Sequence, residues 1–328
     1  SLYDLAAAML SPNLHYQAEA SAYLERALAI REKYPQDSDP ALEKILGCLS
    51  TCYRETGKTS EAIVLAKRAI EQRKFEHEPS ERTNFLYQLL ASCYNKIDDY
   101  VNEEAALRRS LALAEELAAP IKVAEAHRSI GLCLIKQGKS VEARKHFETS
   151  LAMLEGVEKH GLDDKANHTI DFLLISNHQP LHGTKQTSFE ENKRVLSEYI
   201  ADCYVREGNE AEAEKYYEKS FLASKFQSES AREHSLGLLI SCCLKQRKFD
   251  KVIMLQKSIL ASREQRLPLS ELAVAETSLS IARAMKEKGD YAAALPLFSR
   301  ALSLSKKNLP GDHPQVKLIL SEQGECEK

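Results

Sequence analysis

The chain contains no tryptophan, and only 12 glycines and 10 prolines among its 328 residues. Breakers are scarce, while Ala, Leu, Glu, Lys and Ser fill most positions, a bias toward helix over strand. No segment sustains the period-2 alternation of a half-buried strand. No apolar run approaches the about 18 residues of a membrane span, so no membrane partner is expected. The N-terminus, Ser1-Leu2-Tyr3-Asp4, has no basic stretch of the signal-peptide kind. It also lacks Met and opens directly on helical periodicity, which reads as a cut or processed end of a longer chain. Charge of one sign is not in excess: the net charge is -3, and nothing calls for nucleic acid. Gly-rich phosphate loops, G-x-S-x-G, H-E-x-x-H and Cys-x-x-Cys pairs are all missing. The acidic pairs Asp98-Asp99 and Asp163-Asp164 fall at turns, where solvent and N-capping account for them. The expectation is a chain that is no enzyme and carries no cofactor.

What is present is a repeat. Leu49-Ser50-Thr51-Cys52-Tyr53, Leu90-Ala91-Ser92-Cys93-Tyr94, Ile130-Gly131-Leu132-Cys133-Leu134 and Ile200-Ala201-Asp202-Cys203-Tyr204 align. The cysteine spacings are 41, 40 and 70, and Cys242 or Cys243 follows Cys203 by 39 or 40. Ile281-Ala282-Arg283-Ala284-Met285 takes the same place next. Five residues past each cysteine comes a break: Gly57, Asp98, Gly138, Gly208, a point near Arg247, then Gly289. Glycine there suits the left-handed residue that ends a helix.

A second helix follows each break, with small residues seven apart: Ala20/Ala27, Ala62/Ala69, Ala143/Ser150, Ala213/Ser220 and Ala294/Ala301. Small residues on one face let two helices approach closely. Pro40, Pro79, Pro120, Pro268 and Pro314 punctuate the junctions, and Asp39-Pro40 reads as N-cap and first helical residue. Ser188-Phe189-Glu190-Glu191 has the form of a capping box. Pro296, about two turns into a helix, is expected to kink it or to remove one bond there.

These residues resemble the tetratricopeptide repeat, most closely in Gly289-Asp290-Tyr291-Ala292-Ala293-Ala294 through Phe298 and Ala301. The 40–42-residue period exceeds the family's usual 34 or so and is similar to the kinesin light chain subtype. Leu24-Glu25-Arg26-Ala27-Leu28 and Pro310-Gly311-Asp312-His313-Pro314 look like junctions of those light chains. The resemblance implies an all-α fold: a right-handed α-solenoid of antiparallel helix pairs, about seven repeats plus a trailing helix. It places about four repeats in 1–157, an insertion at 158–187 and about three repeats with the terminal helix in 188–328.

The repeat also explains the eight cysteines. Five recur at one late position of the first helix, where a small apolar residue packs on the second. Counterparts sit a helix pair apart, beyond the roughly 7 Å Cα separation of a disulfide. They read as buried thiols in a reducing compartment, consistent with a cytoplasmic location. Of the adjacent Cys242 and Cys243, one is expected to face the core and the other not.

The long cysteine interval leaves about 30 extra residues near 156–187, whose simplest account is one extra helix over 165–176 and a loop after it. Four of the ten histidines lie here: His160, His168, His178 and His182. Pro180 breaks the helix that would align His178 with His182, and no thiolate accompanies them, so no metal is expected. A solvated or partner-contacting loop is the reading.

Stacked first helices line the concave face of a solenoid. The repeat's phase puts Lys44, Arg54, Gln88, Ser92, Asn95, Lys96, Arg128, Lys136, Glu198, Asp202 and Arg206 there as candidate partner-binding residues. The last turn is repeatedly basic: Arg54, Lys96, Lys136, Arg206, Lys245 and Lys286. That is either a stripe for an acidic peptide or a set of cations complementing helix dipoles. The Lys/Asn clamp of chaperone-binding repeats is missing, because the matching places hold Gly47 and Thr51, Gln88 and Ser92, Arg128 and Leu132. The asparagine run by which kinesin light chains grip cargo peptides is replaced by Leu86-Tyr87-Gln88-Leu89-Leu90. The expected function is a scaffold or adaptor that binds a protein or peptide partner in the groove. A self-assembly module, including a homo-oligomer, and a regulatory domain of a larger protein are the alternatives.

Overall fold

The computed structural model describes residues 2–9, 17–33, 40–73, 80–160, 185–265 and 270–327. Among the described residues there are 15 α-helices and no strand. They form two compact units, 1–207 and 208–328. The first holds α1 (Leu2–Met9), α2 (Gln17–Lys33), α3 (Pro40–Glu55), α4 (Thr59–Gln72), α5 (Glu81–Lys96), α6 (Tyr100–Glu116), α7 (Pro120–Lys136), α8 (Ser140–His160) and α9 (Lys185–Arg206). The second holds α10 (Glu210–Ala223), a 3-10 turn (Ser224–Phe226), α11 (Glu229–Lys245), α12 (Phe249–Glu264), α13 (Glu271–Lys288), α14 (Tyr291–Asn308) and α15 (Pro314–Cys326). In chain order the odd-numbered helices stand at the first-helix places of the repeat and the even-numbered ones at the second-helix places. The fold is an all-α array of tetratricopeptide type.

All six breaks are left-handed. Gly57, Gly138, Gly208 and Gly289 have φ between 74° and 90°, and Asp98 and Arg247 adopt 57° and 56°. The backbone closes the same way at five of them. The residue after the break donates to a carbonyl five residues back: Lys58 to Tyr53, Asp99 to Tyr94, Lys139 to Leu134, Lys248 to Cys243 and Asp290 to Met285. This is the Schellman closure. Ala118, between α6 and α7, takes φ 47° as well, ahead of Pro120 as the first residue of α7.

The small pairs do what their spacing implies. Ala20, Ala62, Ala66, Ala69, Ala143, Ala213, Ala294 and Ala301 are essentially sealed from solvent, with Ser150 and Ser220. Seven of the eight cysteines are buried, Cys48 is half-buried, and all eight are free thiols. Cys242 and Cys243 are both buried, which corrects the expectation that one faces out. A first helix inside an array is covered on two sides. Cys242 Sγ meets the carbonyl of Glu210 on α10 at 3.5 Å, while Cys243 is fully enclosed. Cys242 is the register counterpart of Cys133. Gln137 Nε2 donates to the carbonyl of Tyr100 and to Glu104 Oε2, as Gln246 Nε2 does to the carbonyl of Glu210 and to Glu214 Oε2.

The capping box at Ser188 is also corrected, because α9 starts at Lys185 and Ser188 lies within it. Pro296 sits inside α14 without ending it. Asp39, Pro79, Pro268 and the expected extra helix and loop with His168, His178 and His182 lie outside the described residues. The array nevertheless continues from α8 to α9. The rings of Phe147 and Tyr199 stack at 5.2 Å. Arg144 lies 4.5 Å over Tyr204 and donates to Glu207 at 2.9 Å.

Candidate functional site

The predicted inner-face residues of the first unit fall into two sets. Several are drawn into contacts that hold the array. Arg54 is 22% exposed and donates from Nη1 to Ser92 Oγ on α5 at 3.2 Å, while its other nitrogens pair with Glu55. Lys96 Nζ donates to the main-chain carbonyl of Arg54 at 2.7 Å, so it satisfies a C-terminal carbonyl of the neighbouring first helix. Asn95 Nδ2 turns toward α6 and donates to Glu103 Oε1 at 2.8 Å. Lys136 Nζ stands 5.6 Å from the ring centre of Tyr100, within cation–π range. Glu198 is buried and accepts from Arg194 Nη1 at 2.6 Å.

The second set is the remainder. Lys44, Gln88 and Arg128 are half-buried, and Asp202 and Arg206 are exposed. Thirteen residues before the break stand Lys44, Phe85 and Glu125 on α3, α5 and α7. Phe85 is 42% exposed, a large aromatic at Lys44's place in the repeat. Burial pushes the Glu125 carboxyl up to about 7, against the pull of Arg128 and Lys122. Phe85 and Glu125 were legible only by carrying the register of Lys44 through the next two helices.

The basic last turns are largely engaged in the second unit too. Arg283 Nε bonds both carboxylate oxygens of Glu322 on α15, and Lys286 pairs with Glu325. Between α11, α12 and α13 lies a cleft of about 420 Å³. Ile240 and Leu244 of α11 and Ile259 of α12 give it apolar walls, and Glu233, Arg263 and Glu276 are its charged members. Arg263 spans it, donating to the carbonyl of Ala273 at 3.0 Å, to Thr277 Oγ1 at 2.7 Å and to Glu233 Oε1 at 3.4 Å. The signal for it in the sequence is a missing one: α12 has no small pair.

No group of three or more potential metal ligands occurs among the described residues. No helix among them is long and apolar enough to cross a membrane.

Two tetratricopeptide repeat family models match, one at residues 200–225 and the other at 274–315. No match is found among curated proteins. Among solved structures the chain is similar to the kinesin light chain nearly identical TPR-like repeats of Podosopora anserina. That match has a TM-score of 0.51 and 16% identity, and it covers 70% of this chain and 96% of that one. The chain is also similar to the apo form of RapI, with a TM-score of 0.54, 14% identity and coverage of 93% and 74%. At such identities the likeness is one of fold. Taken with the two repeat matches, it shows tetratricopeptide repeats in the chain and a fold similar to that of kinesin light chain repeats.

Proposed function

We propose that the chain is a protein-interaction scaffold that seats a segment of a partner protein on the inner face of its first unit. The supporting observation is the row of Lys44, Phe85 and Glu125, with Arg128 one turn on from Glu125. Its aromatic member stays 42% exposed although the surrounding array is tightly packed. Exposed aromatics and arginines are the residue types that anchor partners. Arg54 and Lys96 act in this reading chiefly as braces between α3 and α5, because each donates across to the neighbouring first helix. The reading involves no cofactor, no catalytic step and no nucleic acid, the net charge being -3.

The test is photocrosslinking from the inner face in lysate of the native cell. The comparison is wild type against Lys44→Glu/Phe85→Ala/Arg128→Glu, with melting curves to check that both fold. Partners captured by wild type should be lost in the variant. Capture of the same partners by a variant that melts like wild type would overturn the proposal.

A second reading, self-assembly, draws support from α15, where Leu318 and Leu320 are 48% and 46% exposed. Light scattering decides it: a monomer at high concentration counts against assembly as the main role.

A further inference from the structure

The cleft of the second unit has a cause in the sequence. Five and twelve residues past four of the six breaks, the second helix carries a small pair, such as Ala62/Ala69 after Gly57 and Ala294/Ala301 after Gly289, while Asp98 is followed by Glu103 and Ser110. After Arg247 the same two places hold Val252 and Ile259. Val252 is buried, so its branched side chain occupies the space through which other second helices approach their partners. Ile259, at the second place, is a wall of the cleft. On the opposite wall Gly237 has open space where a Cβ would stand, at the place held by Gly47, Gln88, Arg128, Glu198 and Leu279 in the other first helices. Two independent substitutions, bulk on α12 and its removal on α11, thus open one pocket.

The lining states what would fit. Ile240, Leu244 and Ile259 offer an apolar floor, with Leu244 42% exposed. Ser241 and Ser280 bring hydroxyls for a backbone lying along it. The charge is acidic: Glu233 and Glu276 outnumber Arg263, whose donors go to Ala273, Thr277 and Glu233. A volume of about 420 Å³ is in the lower range of ligand pockets, about 300–1,000 Å³. It suits one side chain and a stretch of extended backbone better than a helix about 10–12 Å across.

We propose that this cleft is a docking site for an extended segment of a partner protein that presents one aliphatic side chain flanked by lysine or arginine. The proposal rests on the scaffold reading of the array, though on none of the first-unit residues invoked for it.

The test uses the full chain and three fluorescein-labelled peptides in a Gly-Ser background, containing Lys-Leu-Lys, Glu-Leu-Glu or Lys-Ser-Lys, read by fluorescence anisotropy. The first should bind, and the other two should bind about tenfold more weakly. Gly237→Leu fills the cleft from a position with open space, and Glu276→Lys reverses an exposed rim charge. Each should weaken the first peptide about tenfold while melting like wild type. The first-unit variant Lys44→Glu/Phe85→Ala/Arg128→Glu should bind it unchanged. Equal binding of the three peptides overturns the proposal, as does a Gly237→Leu chain that binds like wild type. Loss of binding confined to the first-unit variant assigns the peptide to the first unit and also overturns it. If cyclohexylmethylamine protects the cleft while no peptide binds, the pocket belongs to a small molecule and the proposal falls. The partner-capture experiment can fail or succeed independently of these readings.

Discussion

A Cβ built on Gly131 of α7 would come within 2.5 Å of the ring of Phe147 on α8. Glycine is therefore required by packing, since the residue sits in a regular helix. Phe147 is fully buried and passes the contact on to Tyr199 of α9. Gly131→Ala should destabilise the first unit by about 1–3 kcal/mol through overpacking, although alanine gains about 1 kcal/mol of helix propensity. Urea unfolding measures it, and Gly131→Ala/Phe147→Leu should recover part of the loss. A Gly131→Ala protein as stable as wild type would show that the ring has room to move.

The repeat was legible because its constraints are local. Gly57, Gly138, Gly208 and Gly289 announce a left-handed turn by residue type, and Asp98 and Arg247 follow from the register alone. The small pairs and the cysteines followed from the same period. Cys242 and Cys243 misled because an isolated helix has one buried stripe, whereas a first helix inside an array has two covered sides. The inner face was less legible. Arg54, Asn95 and Lys96 each donate a hydrogen bond to a neighbouring helix, a property of side-chain reach rather than of phase. The cleft was invisible because it arises where the pattern lapses, at Val252, Ile259 and Gly237 together.

Glu43 is 3% exposed and holds two guanidinium groups, Arg73 Nη1 at 3.1 Å and Arg82 Nε at 3.0 Å. It ties α3 to α4 and α5. Removing the carboxylate takes a counter-charge from the largely buried Arg73. A fully buried pair broken in this way costs about 3–5 kcal/mol. Arg82 is 39% exposed and keeps its water, so Glu43→Ala should cost about 2–3 kcal/mol. A loss below about 0.5 kcal/mol in denaturant melts, the scale of an exposed pair, would show the triad to be a surface contact.

His127 and His146 face each other with Nδ1 atoms 2.8 Å apart. Such a contact needs one nitrogen to be an acceptor. Burial lowers the pKa of both, and for His146 the charge of His127 adds to it. A base with a depressed folded pKa takes up protons first in the unfolded state. Stability is then present above the unfolded value of about 6.5 and is lost as pH falls through it. Glu125 runs the other way. Its carboxyl is raised to about 7, so its contribution is full below the unfolded value and is lost as pH rises through about 7. Glu125→Gln should therefore stabilise the chain at pH 8 by about 1–3 kcal/mol and change little near pH 4.5. In that background, acidification from about pH 7 to 5 should destabilise the protein, and His146→Leu should flatten the slope. A slope that His146→Leu leaves intact would remove the pair from the account.

Burial raises the thiol of Cys52 to about 12 and that of Cys203 to about 12. The thiolate is the reactive form, so native chain at neutral pH should alkylate slowly at both. Cys48, half-buried, should label ahead of them, although its thiol is also raised by burial. Iodoacetamide labelling followed by peptide mass spectrometry gives the order. Labelling of Cys52 or Cys203 before Cys48 would mean that the array opens locally around those helices.

Gly237 and Gly131 invite the same substitution and should answer with opposite sign. Gly237 lies within α11, is exposed, and has nothing within 4 Å of a Cβ position. Alanine there meets no neighbour and restricts the unfolded chain, so Gly237→Ala should stabilise the second unit by about 0.5–1 kcal/mol. Gly47 is intermediate, since its Cβ would touch Leu86 Cδ2 at 3.2 Å, and Gly47→Ala should fall between the two. Thermal melts of the three variants give the order Gly237, Gly47, Gly131 from most to least stable. If Gly237→Ala destabilised the chain instead, the space beside α11 would be filled in solution, and the cleft between α11, α12 and α13 would be closed in the free protein.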